Sequence, residues 1–202
     1  GAMIDFGPLL ANPKLMLFGA AAQFGIFFTL SLASSFGFDI KDAASIAIIG
    51  AADGPTSIFV ANYYGSKFLG PIVVAAYSYM ALVPIVQPPI IRLLTSKRER
   101  LIRMPYKQKN ISKTTRILFP IIITVVTGLF APRSVALIGF LMFGNLIREC
   151  GVLHSLSETA QNALANLVTI LLGITIASSM RAEDFVTAKT VMILALGLVA
   201  FI

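Results

Sequence analysis

Ala51-Ala52-Asp53-Gly54-Pro55-Thr56 lies between two apolar runs, Ala43-Ala44-Ser45-Ile46-Ala47-Ile48-Ile49 before it and Ile58-Phe59-Val60-Ala61 after it. The chain has 202 residues, of which 57% are hydrophobic and 12% charged. Soluble domains run nearer to about 45–50% apolar and 25% charged, so this chain belongs in a bilayer. An ionisable residue at bilayer depth is costly and marks an ion or proton pathway by default. Pro55 lacks an N–H, and proline disfavours helix at the residue before it. The helix is therefore predicted to break where the charge stands.

Working outward, residues 41–64 divide at Asp53-Gly54-Pro55 into two halves, each long enough as a helix for about half of a 30 Å hydrocarbon core. The segment reads as two half-helices meeting near the midplane. Discontinuous helices of this kind bring helix termini and bare carbonyls beside a bound ion in secondary transporters. It could re-enter as a hairpin or cross; the hairpin is preferred, because it leaves Lys14 on the same side as the basic loop described below.

Around this pair stand membrane helices predicted over 14–36, 71–95, 117–131 and 157–180, a half-span or short helix over 134–147, and a truncated span over 189–202. The second carries Pro84 and Pro88-Pro89, which neighbouring groups must compensate, so it is expected to be kinked within a bundle. The last stops well short of crossing, and a helix cut in mid-bilayer leaves carbonyls that lipid cannot satisfy. All of 1–202 thus reads as one partial membrane domain from a longer transporter-like chain. The fold class is all-α: a polytopic membrane protein with a broken or re-entrant helix pair.

The net charge is +7, but eight of the 16 Lys and Arg lie between Lys97 and Arg116 with Glu99 as the sole acid among them. Apolar segments stand on either side, and no stacking aromatics interleave the charges. This is the positive-inside signature of a cytoplasmic loop over 96–116, not a nucleic-acid patch. The single cysteine, Cys150, excludes an internal disulfide framework and a thiolate metal site.

Asp53 with Gly54, Thr56 and Ser57 offers a carboxylate, flexible backbone and two hydroxyls, an oxygen set that suits a hard cation such as sodium. Burial in low dielectric would favour the neutral acid, so the group is expected to exchange a cation for a proton. The plainer reading is that Asp53 only caps the second half-helix; a Ser or Asn would do that without the charge penalty. Tyr79, Val83 and Gln87 share a helix face and present a phenol and an amide to the interior, where packing is as good an account as chemistry. Asn162, Asn166, Thr169 and Gly173 form a second polar stripe that either glues helices or lines a cavity. Asn145 and Arg148 close the 134–147 segment, with Arg148 read as a snorkelling anchor. His154, without a second ligand at metal spacing, reads as a surface residue.

Two long motifs, Ile49-Gly50-Ala51-Ala52-Asp53-Gly54-Pro55-Thr56-Ser57-Ile58-Phe59 and Ala75-Ala76-Tyr77-Ser78-Tyr79-Met80-Ala81-Leu82-Val83-Pro84-Ile85-Val86-Gln87-Pro88-Pro89, carry a resemblance. So do Gly19-Ala20-Ala21-Ala22-Gln23-Phe24-Gly25, Gly144-Asn145-Leu146-Ile147-Arg148-Glu149-Cys150-Gly151 and Thr159-Ala160-Gln161-Asn162-Ala163-Leu164. Over essentially its whole length the chain resembles the integral-membrane β subunit of the sodium-pumping biotin-dependent decarboxylases, which act on oxaloacetate, methylmalonyl-CoA or glutaconyl-CoA. The resemblance implies that carboxybiotin, delivered by a biotin-carrying or carboxyltransferase subunit, is decarboxylated here with proton uptake and coupled to sodium export. By motif, the family's essential intramembrane aspartate falls on Asp53 and its functional tyrosine on Tyr79. It further implies an inverted-repeat, elevator-like fold, a small membrane partner subunit, a homotrimer and a bacterial or archaeal cytoplasmic membrane. The family's chains extend beyond this stretch, so 1–202 alone is expected to be inactive. The competing reading is a sodium-coupled transporter or cation exchanger without enzymatic activity.

Overall fold

The computed structural model describes residues 1–103 and 111–202. Part of the predicted basic loop, 104–110, lies outside the described residues. The helices are α1 Gly7–Ala11, α2 Met16–Ser35, α3 Ile40–Ala47, α4 Gly54–Tyr64, α5 Leu69–Leu94 and α6 Lys97–Arg100. After them come α7 Lys113–Phe130, α8 Val135–Cys150, α9 His154–Gln161, α10 Ala163–Ser179, α11 Ala182–Phe185 and α12 Ala188–Phe201. Among the described residues there is no strand.

Four stretches, Pro13–Ser35, Leu69–Leu94, Lys113–Phe130 and His154–Ser178, are long and apolar enough to cross a membrane. They carry large apolar side chains on their outer surfaces, among them Phe18, Phe27, Leu93, Leu129 and Phe130. Water would not tolerate so much contiguous apolar surface, whereas lipid favours it. The protein is an all-α polytopic membrane protein.

The described residues form two compact units, one of 1–16 with 111–175 and one of 17–103 with 176–202. In the first, α7 and α8 pack against each other. Phe6 meets Phe119 with ring centroids 5.3 Å apart, and the buried Asn145 amide donates to the Ile4 carbonyl at 3.2 Å. Arg148, read from sequence as a snorkelling anchor, is part-exposed and lies 3.8 Å from Glu149, and Arg116 approaches the same carboxylate at 3.6 Å. Both pairs are partly exposed and contribute little to stability.

The second unit holds the broken pair. Its core comprises Ala33, Phe38, Ala43, Ile46, Ile49, Ala61, Ile72, Ala75, Ala76, Ile193 and Leu196, drawn from α2, α3, α4, α5 and α12 with the connecting turns. Many of these are alanines, and small side chains let helix backbones approach closely where lipid supplies no hydrophobic drive between helices. Asp39 caps α3 by accepting from the Lys41 N–H at 3.3 Å. α4 ends on Gly65 in the left-handed region (φ 64°), its N–H returned to carbonyls of the last turn. At the far end of α5, the Arg100 guanidinium donates to the carbonyls of Thr95 and Arg92. Ser96 and Glu99 form a capping box over α6, and these bonds hold the Glu99 carboxyl below the usual carboxylate range.

A close approach fixes where α12 sits in this unit. A Cβ added at Gly50 would stand 2.5 Å from the Ala200 carbonyl oxygen and 2.9 Å from its carbon. Backbone cannot swing aside as a flexible side chain can. Gly50→Ala is therefore expected to destabilise the protein by about 1–3 kcal/mol, read as a lower midpoint of thermal unfolding in detergent. An unchanged midpoint would refute the close seating of α12 on this turn.

Candidate cation site

Asp42 links the two ends of the broken pair. It lies at the start of α3, is only 8% exposed, and its Oδ1 accepts from Ser66 Oγ at 2.7 Å and from the Lys67 N–H at 3.3 Å. Ser66 and Lys67 follow the end of α4, so entry and exit of the pair are tied together. α3 and α4 pack against each other, with the break of the pair between them. The 11 residues of α4 rise about 16 Å at 1.5 Å each, roughly half of a hydrocarbon core.

At the break the chain tightens into a 3-10 turn over Ile48–Ala51. Ala52 then adopts a left-handed backbone (φ 51°, ψ 36°), which costs a non-glycine residue about 1–2 kcal/mol. Strain of that kind persists where surrounding structure enforces it and clusters at functional sites. Asp53 is extended (φ −133°, ψ 104°), and α4 begins at Gly54 with Pro55 in its first turn, where the missing N–H is harmless.

Asp53 occupies the N-cap position of α4, yet its side chain makes no capping bond to the backbone. Its Oδ2 accepts from the Thr56 hydroxyl instead. Ser57 Oγ donates to the Asp53 carbonyl at 3.1 Å, as does the Ser57 N–H, so that carbonyl is engaged within the helix. A capping role alone does not account for the carboxylate. It stands where the carbonyl end of the 3-10 turn and the amide end of α4 meet. The first favours a cation and the second an anion.

The burial expected of Asp53 is not met within this chain, where the residue is exposed. Gly54 and Ser57, three residues apart and therefore on one helix face, are both buried against the unit's core. That leaves Asp53 and Pro55 on the outer side of the break.

Tyr79 points elsewhere. Its hydroxyl donates to the Leu194 carbonyl at 2.5 Å, and its ring stacks on Phe201 with centroids 5.8 Å apart. A Cβ on Gly197 would come within 3.1 Å of the same ring, so Tyr79 fastens α12 to α5. Gln87, farther along α5, is exposed. Asn145, Asn162 and Asn166 belong to the other unit. There Asn162 is exposed with its amide on the Glu158 carbonyl at 3.1 Å, and Asn166 is exposed as well. His154, exposed, pairs with Glu158 at 3.4 Å.

The residue that sequence reasoning passed over is Tyr77. A Cβ added to Gly54 would crowd its Cζ and stand 2.5 Å from Cε2 and 2.6 Å from Cε1. The Tyr77 hydroxyl is buried with no hydrogen-bond partner among the described residues. Leaving such a group unpaired costs about 1–3 kcal/mol. In Tyr77-Ser78-Tyr79 the two phenols are two residues apart and cannot share a helix face; the face chosen from the sequence, with Val83 and Gln87, was that of Tyr79.

The family model described as the Na+-transporting oxaloacetate decarboxylase beta subunit matches residues 1–202. The chain is 54% identical to the methylmalonyl-CoA decarboxylase subunit beta of Propionigenium modestum over all of this chain and 51% of that protein. It is 53% identical to a probable oxaloacetate decarboxylase beta chain of Vibrio cholerae serotype O1, over all of this chain and 48% of the relative. Against the glutaconyl-CoA decarboxylase subunit beta of Acidaminococcus fermentans it is 52% identical, over all of this chain and 54% of the relative. The chain thus spans about half the length of the curated relatives it matches. No solved structure matches it. Matched from end to end and at more than half identity to subunits serving three different acids, the chain belongs to the family of Na+-transporting oxaloacetate decarboxylase beta subunits.

Proposed function

We propose that this chain is the ion-handling part of a membrane subunit that decarboxylates carboxybiotin and couples the reaction to sodium export. The observation that carries the reading is Asp53: a carboxylate at the break between two helices, bound by Thr56 and not spent on capping α4. Near-equal identity to subunits named for three different acids supports a substrate common to all three systems. Carboxybiotin is such a substrate: its N–CO2 bond breaks, CO2 leaves, and the ring nitrogen takes up a proton.

In this reading sodium is cargo, held by Asp53 with Thr56 and Ser57 hydroxyl oxygens and the loosened backbone at Gly54. The proton demanded by decarboxylation reaches Asp53, cancels its charge and releases the ion. One carboxylate alternating between two cations is enough to couple chemistry to transport. Tyr79 acts by holding α12 against α5, and Gln87, Asn145, Asn162 and Asn166 are further polar positions for the ion's route. The hairpin returns the chain to the side where it entered. With 96–116 cytoplasmic, Lys14 is then cytoplasmic too, in keeping with the positive-inside rule. The partners are a biotin-carrying carboxyltransferase subunit and a small membrane subunit, and the setting is a homotrimer in a bacterial or archaeal cytoplasmic membrane.

The test is decarboxylation of free carboxybiotin by the whole subunit in liposomes, titrated with sodium. CO2 release that rises with sodium and moves 22Na+ across the bilayer is expected; sodium movement without CO2 release would instead make it a plain transporter. In the same assay Tyr79→Phe is expected to slow turnover several-fold and weaken the sodium dependence, since α12 loses a hydrogen bond of about 1 kcal/mol. An unaltered sodium titration would remove Tyr79 from the coupling path.

A further inference from the structure

We propose that the Tyr77 hydroxyl is an oxygen ligand of the cation held at Asp53. This rests on the reading of Asp53 as the sodium site and adds a residue to it. Three observations converge. Tyr77 is seated with the hydroxyl-bearing end of its ring against Gly54, too close to leave room for a Cβ there, so the phenol is held beside the residue that follows Asp53. Its hydroxyl is shut away from solvent yet has no partner among the described residues, although buried hydroxyls are almost always bonded to protein, water or an ion. By contrast the other phenol of the motif, Tyr79, is already satisfied by the Leu194 carbonyl.

Depth agrees as well. Tyr77 lies eight residues into α5 from Leu69, about 12 Å at 1.5 Å per residue, close to the level of the break. A neutral phenol oxygen is a hard, weak donor, the kind a monovalent cation takes beside one carboxylate and two alcohols. A site with a single negative charge can then release its ion when that charge is neutralised. The absence of a side chain at Gly54 is what lets the ring come so near.

The experiment compares Tyr77→Phe with the unaltered whole subunit in the assembled decarboxylase, because Phe keeps the ring on Gly54 and removes the oxygen alone. The half-saturating sodium concentration is expected to rise about tenfold. Sodium-induced protection against thermal unfolding in detergent should shift to higher concentration by the same factor. An unchanged sodium titration in Tyr77→Phe, with Asp53→Asn inactive, would overturn the assignment and leave the Asp53 reading standing. A lower unfolding midpoint in sodium-free buffer with unchanged sodium protection would mark Tyr77 as packing only, and would also overturn it. Sodium-dependent turnover surviving in Asp53→Asn would bring down the parent reading and the Tyr77 ligand with it.

Discussion

Asp53→Asn is expected to abolish sodium-dependent decarboxylation by the assembled enzyme while insertion, assembly and thermal stability stay as they are. The substitution keeps the shape of the side chain and an oxygen that can accept from Thr56. Asp53 is exposed at the break and makes no capping bond, so the fold loses little, within about 0.5 kcal/mol. What disappears is the charge. Two unit charges 4 Å apart attract by about 4 kcal/mol at an effective dielectric of 20, several times the net value of a neutral hydrogen bond. An amide also cannot be protonated to discharge the ion. Turnover should fall by about 100-fold or more, equivalent to about 2.7 kcal/mol. Sodium-coupled activity retained at half the original rate would show that the carboxylate is not the ligand.

Gly54→Ala should be nearly as damaging, by a steric route. Gly54 does not need glycine for its backbone angles, since it is not among the residues with positive φ; it needs the space. The methyl group would run into the Tyr77 ring, whose atoms are rigid and which is part-buried. Either the ring leaves or the start of α4 moves, at about 1–3 kcal/mol, and both displace the groups around Asp53. The expectation is loss of sodium-dependent turnover together with a lowered unfolding midpoint in detergent. The double variant Gly54→Ala, Tyr77→Ala should regain stability but not sodium affinity. Wild-type activity in Gly54→Ala would mean that the ring is not held there.

Much of the fold was legible because bilayers impose simple demands. A stretch such as 71–95 had to be a helix, since lipid satisfies no backbone group, and Pro84, Pro88 and Pro89 do not stop α5 from running on to Leu94. The break at Asp53 was legible from Pro55 and the preceding residue's aversion to helix. The bonds from Ser66 and Lys67 to Asp42 were not legible, since a link across 24 and 25 residues is announced by no local pattern.

The site divides in the same way. That Asp53, Gly54, Thr56 and Ser57 stand together was legible from sequence, because one turn of chain brings them there. The exposure of Asp53 could not, because it depends on which face of α4 Gly54 and Ser57 bury. Nor could the parts of the two phenols: a period of 3.6 residues separates Tyr77 from Tyr79 but does not say which neighbour each will meet. Composition and spacing suffice to make this a membrane protein of helices with an acid at a helix break, for the cost of charge and unpaired backbone in lipid is local. Tertiary structure alone decided that α12 takes Tyr79 and that Gly54 takes Tyr77, because close approach between distant segments depends on backbones that only the assembled fold brings together.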